Sequence, residues 1–193
     1  MKRYAASFGI VLVFVTLTFQ PFAYCQKPVE YADPDAFNVY WALMPTPING
    51  RGVLVVDATR KAERCSLNDE NMPDSDFREA MQDFHRANKQ VWTLAKEFRS
   101  SVQADLIDSK ELKSDFRKSA DKGWKTFYKT HPQASGTIAF SAVGFNHKRT
   151  AAVVYFEIVS CSECGVGGLH FLRKEAAGWT EIKPGFPDCG WIS

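Results

Sequence analysis

The pair of cysteines in Cys161-Ser162-Glu163-Cys164 is the segment whose residue types and spacing most resemble a reactive motif. A redox Cys-X-X-Cys pair works because its first cysteine lies at a helix N-terminus, where the backbone dipole stabilises the thiolate. Here a glycine-rich run at 165–168 and a predicted strand follow, and the acidic Glu163 opposes thiolate formation. The sequence therefore favours a structural disulfide, with a thiol-disulfide oxidoreductase using Cys161 and Cys164 as an alternative.

The cysteine count also favours covalent cross-links. The chain has five cysteines, of which Cys25 lies at the end of the leader described below. The even number that remains is typical of disulfides in an exported protein. The segment 161–164 can be bridged internally, to Cys65 or to Cys189, and the sequence does not choose among these pairings. The disulfide candidates are Cys65, Cys161, Cys164 and Cys189.

Metal and phosphate sites are both disfavoured by the sequence. Tetrahedral zinc would combine the cysteines of the C-terminal half with His170, but no second paired motif exists and export favours oxidised cysteines. The run 165–168 resembles a phosphate-binding loop, yet neither a helix nor a Lys-Ser/Thr pair follows it. We expect a turn or a close approach of strands there. The sequence thus predicts no metal and no cofactor.

Histidine could supply a general base to a hydrolase. No His-Glu-X-X-His pair and no Gly-X-Ser-X-Gly elbow occurs, and Ser141 alternates with apolar residues as packed serines do. We therefore predict no catalytic residue, and keep a hydrolase using a histidine such as His131 or His147 as an alternative. The histidines are His85, His131, His147 and His170.

The tryptophans and the isolated acids are also assigned ordinary roles. A tryptophan wall could bind a ligand, but Trp124 has helical spacing with Phe127 and Tyr128, as core aromatics do. The acids are scattered, so no two can be placed at the separation that paired carboxylate catalysis needs. The residues concerned are Trp41, Trp92, Trp124, Trp179, Trp191, Asp57, Glu157, Glu163 and Asp188.

The first 25 residues have the order of a secretory signal peptide. Lys2 and Arg3 form a basic start, residues 5–19 are apolar and uncharged, and Ala23 and Cys25 are small residues at −3 and −1 of a cleavage site. The apolar run of about 15 residues is short for a bilayer-spanning helix. We predict cleavage after Cys25 and a secreted or periplasmic protein. The alternative is a lipoprotein acylated at Cys25, which is less favoured because Tyr24 is bulky.

The composition of the mature chain limits its partners. Removing the leader leaves 22 basic and 22 acidic residues over 26–193, the size of a single domain. A near-neutral chain with no basic stretch gives no electrostatic case for nucleic acid or for an anionic membrane. No Asn-X-Ser/Thr acceptor occurs, which suits a bacterial exported protein. We therefore expect no nucleic-acid partner and no stable membrane insertion after cleavage.

Hydrophobic periodicity predicts helices mainly upstream and strands downstream. Helices are predicted to begin at Asp33-Pro34-Asp35, at Asp74-Ser75-Asp76 and at Ser114-Asp115, the last ending at His131-Pro132. The sequence thus predicts a single α+β domain: an antiparallel meander sheet with about three helices packed mainly on one face. The strands are predicted at 53–56, 102–107, 137–145, 150–159, 169–174 and 179–183.

The chain contains Gly123-Trp124, Ser141-Ala142-Val143-Gly144-Phe145-Asn146 and Cys164-Gly165 in that order. With the other motifs given at the end of this paragraph, this order resembles a family of uncharacterised exported bacterial proteins. Because the motifs are mostly core and turn residues, the resemblance implies a shared fold over nearly the whole mature chain and implies no reaction. The first cysteine of the pair is displaced by one residue from the family pattern, which leaves the pairing of Cys161 open. The motifs are Gly123-Trp124, Phe127-Tyr128, Ser141-Ala142-Val143-Gly144-Phe145-Asn146, Ala152-Val153-Val154-Tyr155 and Cys164-Gly165.

These observations favour an exported, disulfide-stabilised protein that acts by binding or as a structural accessory. The neutral charge balance, the aromatic content of 13% and the cysteines suited to cross-linking carry this expectation. The enzyme alternatives are the thiol-disulfide oxidoreductase and the histidine hydrolase named above. The ligand and the oligomeric state are not determined by these residues.

Overall fold

The computed structural model describes most of residues 26–193, and the predicted leader (1–25) and Cys65 lie outside the residues that it describes. The described residues are 29–47, 51–61, 72–95, 97–98, 104–183 and 189–193. Their helices are α1 (Pro34–Leu43), α2 (Ser75–Ala87), α3 (Ser109–Phe116) and α4 (Ala120–Thr130). Their strands are β1 (Glu30–Tyr31), β2 (Gly52–Val56), β3 (Thr93–Leu94), β4 (Leu106–Ile107), β5 (Ala134–Phe140), β6 (Gly144–Phe145), β7 (Ala151–Cys161), β8 (Cys164–Glu175), β9 (Gly178–Ile182) and β10 (Gly190–Ile192).

An eight-stranded sheet organises the described residues. Its strand order is β10-β8-β7-β5-β2-β4, with β6 paired to the first half of β7 and β9 to the second half of β8. The strands from β5 onward pair antiparallel, whereas β2 runs parallel to both β4 and β5. The predicted α+β class is therefore confirmed, with two parallel pairs added to the antiparallel sheet. Strands β1 and β3 form a small parallel sheet of their own.

The helices cover the two faces of the sheet unequally. Successive residues of a strand point to opposite faces, so β7 contributes Val154 to one core and Val153 to another. Helix α1 packs on the Val154 face through Phe37 and Tyr40. Helices α2 and α4 pack on the opposite face, and α3 lies against α4. Three of the four described helices thus share one face, where about three helices were expected in all.

Side-chain caps explain where the helices begin. The side chains of Asp33, Asp74 and Asp108 accept hydrogen bonds from backbone N–H groups in the first turns of α1, α2 and α3. Ser119 does the same for α4 by accepting from the N–H of Lys122 at 3.3 Å. The single helix predicted from Ser114 is therefore wrong: one helix ends at Phe116 and a newly capped helix follows.

Strand β8 begins earlier than expected and contains the glycine-rich run. The turn predicted at 165–168 is wrong, because these residues pair with β7 and β10. The expected close approach is present: the indole of Trp191 crosses this part of β8. A Cβ at Gly165 or Gly167 would lie 2.8 or 2.7 Å from that indole. Glycine is thus required here by the tryptophan packed against it.

Candidate ligand-binding cleft

A cleft opens between the sheet and the α3–α4 pair, and we name it the α3–α4 cleft. Its volume is about 310 Å³, which lies at the lower end of the range for small-molecule sites. Strands β5 and β7 form its floor, and helices α3 and α4 form one wall. The lining residues are Val56, Arg60, Leu112, Lys113, Phe116, Ala120, Trp124, Thr137, Ala139, Glu157, Val159, Cys161 and Ser162.

Apolar side chains make up most of this lining. Trp124 and Phe116 meet edge to face with ring centroids 4.9 Å apart, and Trp124 is almost fully buried. Val159 and Ala139 of the floor belong to the same core cluster as these rings. Thr137 adds a hydroxyl that has no hydrogen-bond partner among the described residues. An apolar surface with a few polar groups is what a small organic ligand requires.

Glu157 is the carboxylate on the floor of the cleft, and it is held from two sides. Its Oε1 lies 3.0 Å from Nε of Arg60, while its Oε2 accepts a hydrogen bond of 3.1 Å from the hydroxyl of Tyr155. That hydroxyl in turn accepts from Nε1 of Trp191 at 2.8 Å. The Glu157 side chain is only 17% exposed, so these contacts fix its orientation. Glu157 therefore positions Arg60 at the cleft.

Positive charge gathers at the opening of the cleft. Arg60 and Lys113 line both this cavity and an adjoining cavity of about 280 Å³, which Lys61 also lines. Within the described part of the chain, Glu157 is the one acidic side chain that lines either cavity. The α3–α4 cleft thus combines an apolar interior with positively charged side chains at its opening.

The bridge between Cys161 and Cys164, one of the pairings that the sequence left open, lies at the edge of the cleft. The two cysteines form a disulfide across the β7–β8 turn, with their Cα atoms 4.7 Å apart. The internal pairing is the one that the structure contains, and Cys161 lines the cleft. Ser162 in the same turn makes a hydrogen bond to Asp121 at the start of α4. The turn is thereby fastened to the helix that forms the cleft wall.

The other two cysteine candidates, Cys189 and Cys65, do not take part in the Cys161–Cys164 bridge. Cys189 is also disulfide-bonded, and Cys65 lies outside the described residues. With Cys161, Cys164 and Cys189 all oxidised, the zinc ligand set considered from the sequence has no free thiolate in this state. Among the residues that the structure describes, no three His, Cys, Asp or Glu side chains converge as a metal-binding group.

The structure does not bring the predicted histidines into a common site. His85 and His147 are exposed, and His131 packs against Phe127 at the end of α4. His170 pairs with Glu181 through Nδ1 at 2.6 Å, on the face of the sheet opposite the cleft. None of the hydrogen bonds within the described ranges joins a histidine ring to a serine or cysteine side chain. The hydrolase alternative gains no support from this arrangement.

Ser141 has the packed role expected of it. It is fully buried, its hydroxyl accepts from the N–H of Tyr155 at 2.8 Å, and its carbonyl oxygen accepts from the hydroxyl of Tyr40 at 2.7 Å. Burial raises the pKa of Tyr40 well above its usual value, so this hydroxyl remains a donor. Ser141 therefore joins β7 to α1 and lies outside the cleft.

The following residues of the same motif bind α2. The side chain of Asn88 accepts from the N–H of Ala142 and donates to its carbonyl oxygen, each at 2.9 Å. The N–H of Phe145 donates to Asp83 at 2.9 Å. These contacts end β5 at Phe140, so the strand predicted to run on to 145 is wrong: it breaks and resumes as β6.

The tryptophans divide between core and surface. Trp124 and Trp179 are buried, as the core assignment expected, whereas Trp41 is 49% exposed, so the core assignment is wrong for this residue. Of the acids considered from the sequence, Asp188 lies outside the described residues, and among the others Glu157 alone lines the cleft. Sequence reasoning missed its partner Arg60 and also Lys113, which lines the same cleft. A usable signal existed for Glu157, since it interrupts an otherwise apolar strand.

None of the described helices combines the length and apolar character needed to cross a membrane. Comparisons with protein-family models, with curated proteins and with solved structures find no match to this chain. The resemblance to a family of exported bacterial proteins therefore stays a prediction. A function can therefore be inferred only from the residues that line the cleft.

Proposed function

We propose that this protein is an exported, noncatalytic binding protein whose α3–α4 cleft takes one small, mainly apolar molecule. The observation that carries the proposal is the cleft itself, a cavity of about 310 Å³ with Trp124, Phe116 and Leu112 in its wall. Burial of apolar surface there would supply most of the affinity, at roughly 25 cal/mol per Å² before the costs of association. The disulfide at its edge supports an oxidising compartment.

Filling the cleft tests this proposal. Ala120 is exposed at the start of α4 and lines the cleft, so Ala120→Trp places an indole in the cavity without replacing a core residue. We expect the wild-type protein to bind the neutral dye N-phenyl-1-naphthylamine at one site per chain. The variant should bind it at least about tenfold more weakly, because the site is occupied.

The control is Ala176→Trp, an exposed alanine in the β8–β9 turn that lines neither cavity of the cleft. It adds the same side chain and should leave dye affinity unchanged. Fluorescence titration and calorimetry measure both variants. Equal binding by wild type and Ala120→Trp would contradict the proposal.

Export is tested separately at the N-terminus. The basic start, the apolar run and the small residues at 23 and 25 support cleavage by signal peptidase. Mass spectrometry of protein recovered from outside the cytoplasm should find a chain beginning at Gln26. A chain beginning at an acylated Cys25 would identify a lipoprotein, and an intact N-terminus would overturn the proposal of export.

One observation favours the oxidoreductase as a second candidate: the disulfide joins half-buried Cys161 to exposed Cys164 next to a cavity that could hold a substrate. The function would require the bridge to be reduced readily by an external dithiol. Titration with dithiothreitol in a buffered redox series measures this. A potential well below that of known dithiol oxidoreductases, roughly −300 mV or lower, would mark the bridge as structural.

A further inference from the structure

Resting on the proposed binding function, we infer that the ligand of the α3–α4 cleft is an amphipathic anion. Its apolar body would lie against Trp124 and Phe116, and its carboxylate or sulfonate-like group would lie at Arg60 and Lys113. The inference depends on three observations: the unused hydrogen-bond donors of Arg60, the positive charges at the opening of the cleft, and the residues that the two cavities share.

Arg60 presents hydrogen-bond donors that its own ion pair does not use. Glu157 engages Nε, and the two terminal guanidinium nitrogens have no partner among the described residues. The guanidinium is planar and offers parallel N–H groups, a geometry that suits a carboxylate or sulfonate. Because Glu157 is itself fixed by Tyr155, it holds Arg60 in place rather than competing freely for its donors.

The lysines at the opening add charge of the same sign. Lys61 and Lys113 have no ion pair with any described residue, and both line the adjoining cavity together with Arg60. The lining of the two cavities therefore carries three cationic side chains against the single carboxylate of Glu157. A ligand without an acceptor group would bury part of this cationic group unpaired, and that costs free energy.

The two cavities meet where the charge lies. Val56, Arg60, Leu112 and Lys113 line both of them, so the cationic group lies at their junction. An apolar body in the larger cavity would bring a polar end to this junction. The geometry thus separates the apolar and anionic halves of the ligand in space.

A pair of matched dyes tests the inference. Anilinonaphthalene sulfonate carries an anionic group on the same ring system that N-phenyl-1-naphthylamine presents without it. In low salt the wild-type protein should bind the sulfonate more tightly than the neutral dye, and added salt should reduce this preference. The double variant Arg60→Gln/Lys113→Gln should lose at least about tenfold in affinity for the sulfonate. The same double variant should bind the neutral dye at least as tightly as the wild-type protein does, because no cation is then buried without an acceptor.

The control removes the same charge elsewhere. Lys125 and Lys129 lie exposed on α4 and line neither cavity of the cleft, so Lys125→Gln/Lys129→Gln should leave both affinities unchanged. Arg60→Lys keeps the positive charge but loses the parallel N–H groups of the planar guanidinium. It should therefore weaken sulfonate binding less than Arg60→Gln does. Circular dichroism and one-to-one stoichiometry confirm that each variant is folded and that the dye occupies one site.

The outcomes separate the two proposals. If Ala120→Trp abolishes binding of the neutral dye but the sulfonate shows no preference and no dependence on Arg60 and Lys113, the anion inference is overturned and the binding function stands. If neither dye binds, or if Ala120→Trp affects neither, both proposals fall together.

Discussion

Individual side chains hold the segment between β5 and β6 where backbone pairing stops. Asn88 binds both the N–H and the carbonyl of Ala142, and its amide also donates to the carbonyl of Phe84 at 2.8 Å. The backbone groups of Ala142 are buried and have these side-chain partners in place of a strand partner. One asparagine thus joins the end of α2 to the break in the sheet.

Asn88→Ala should therefore destabilise the fold. The N–H of Ala142 would lose its hydrogen-bond partner, at a cost of about 1–3 kcal/mol for a group that water cannot reach. The carbonyl oxygen of Ala142 would keep its hydrogen bond from the hydroxyl of Ser141 at 2.9 Å. The matched change Asn38→Ala removes an exposed asparagine from α1 and should alter stability by less than about 0.5 kcal/mol. Urea unfolding followed by circular dichroism gives both values, and equal midpoints for the two variants would refute this role of Asn88.

At the scale of elements, α2 and β6 approach each other as closely as their backbones allow. A Cβ added to Gly144 would lie 2.2 Å from the N of Phe84 and 2.3 Å from the O of Ala80. Both atoms belong to helix backbone, which cannot rotate away as a side chain can. Helix α2 can therefore pack this closely on the sheet only because residue 144 is a glycine and has no Cβ.

Gly144→Ala should force the helix off the sheet and cost at least about 1–3 kcal/mol, the range found when cores are overpacked. Gly52→Ala is the control, since a Cβ at Gly52 would meet nothing within 4 Å. Thermal unfolding should show a lower midpoint for the first variant only. An unchanged midpoint in Gly144→Ala would mean that α2 shifts without loss, contrary to the packing described.

The elements differ in how far sequence could predict them. Helix α2 is predictable because Asp74 caps it and because Phe77, Ala80 and Met81 form a stripe at helical spacing. Helix α3 was missed because none of its residues is fully buried, so no such stripe marks it. The first part of β8 was missed because glycines lack strand propensity, and only the distant Trp191 explains them.

The candidate site could not be predicted for a related reason. Arg60, Lys113 and Glu157 lie far apart in the sequence and meet only through the sheet order and the position of α3. No pattern of residue spacing within a short segment of the sequence predicts that these three side chains lie close together. The Cys161–Cys164 bridge was predictable as one option because its two residues are close in sequence, whereas the cleft beside it required the fold.

At the scale of the whole molecule, an ionic network joins the start of α1 to the sheet. Arg149 contacts Asp33 at 2.6 Å and Asp35 at 2.7 Å, and Lys174 of β8 contacts Asp35 at 3.3 Å. Desolvation acts to raise the pKa of Asp35, but hydrogen bonds from Arg149 and Lys174 and their charges outweigh it and hold that pKa below its ordinary value. Asp35 therefore contributes its share of this stabilisation only while it is ionised.

This gives a defined dependence on pH. Because the pKa of Asp35 is lower in the folded protein, its contribution is complete above the unfolded pKa near 3.8 and is lost as the pH falls through the folded value. Asp35→Asn should lower stability by about 0.5–1 kcal/mol at pH 7, the range for partly exposed pairs. The difference from wild type should shrink toward zero in strong acid. Unfolding midpoints in urea between pH 7 and pH 2 measure it, and a constant difference would rule out this origin.

The indole of Trp191 has a further consequence through its position over the glycines of β8. Its bond to Tyr155 keeps β10 paired along a stretch where β8 has almost no side chains. Without that cover, the N–H and carbonyl groups of a flat glycine edge would be open to strands of neighbouring molecules. Trp191 thus has two effects: it orients Glu157 through Tyr155, and it helps to cover a strand edge that would otherwise favour fibrillar self-association.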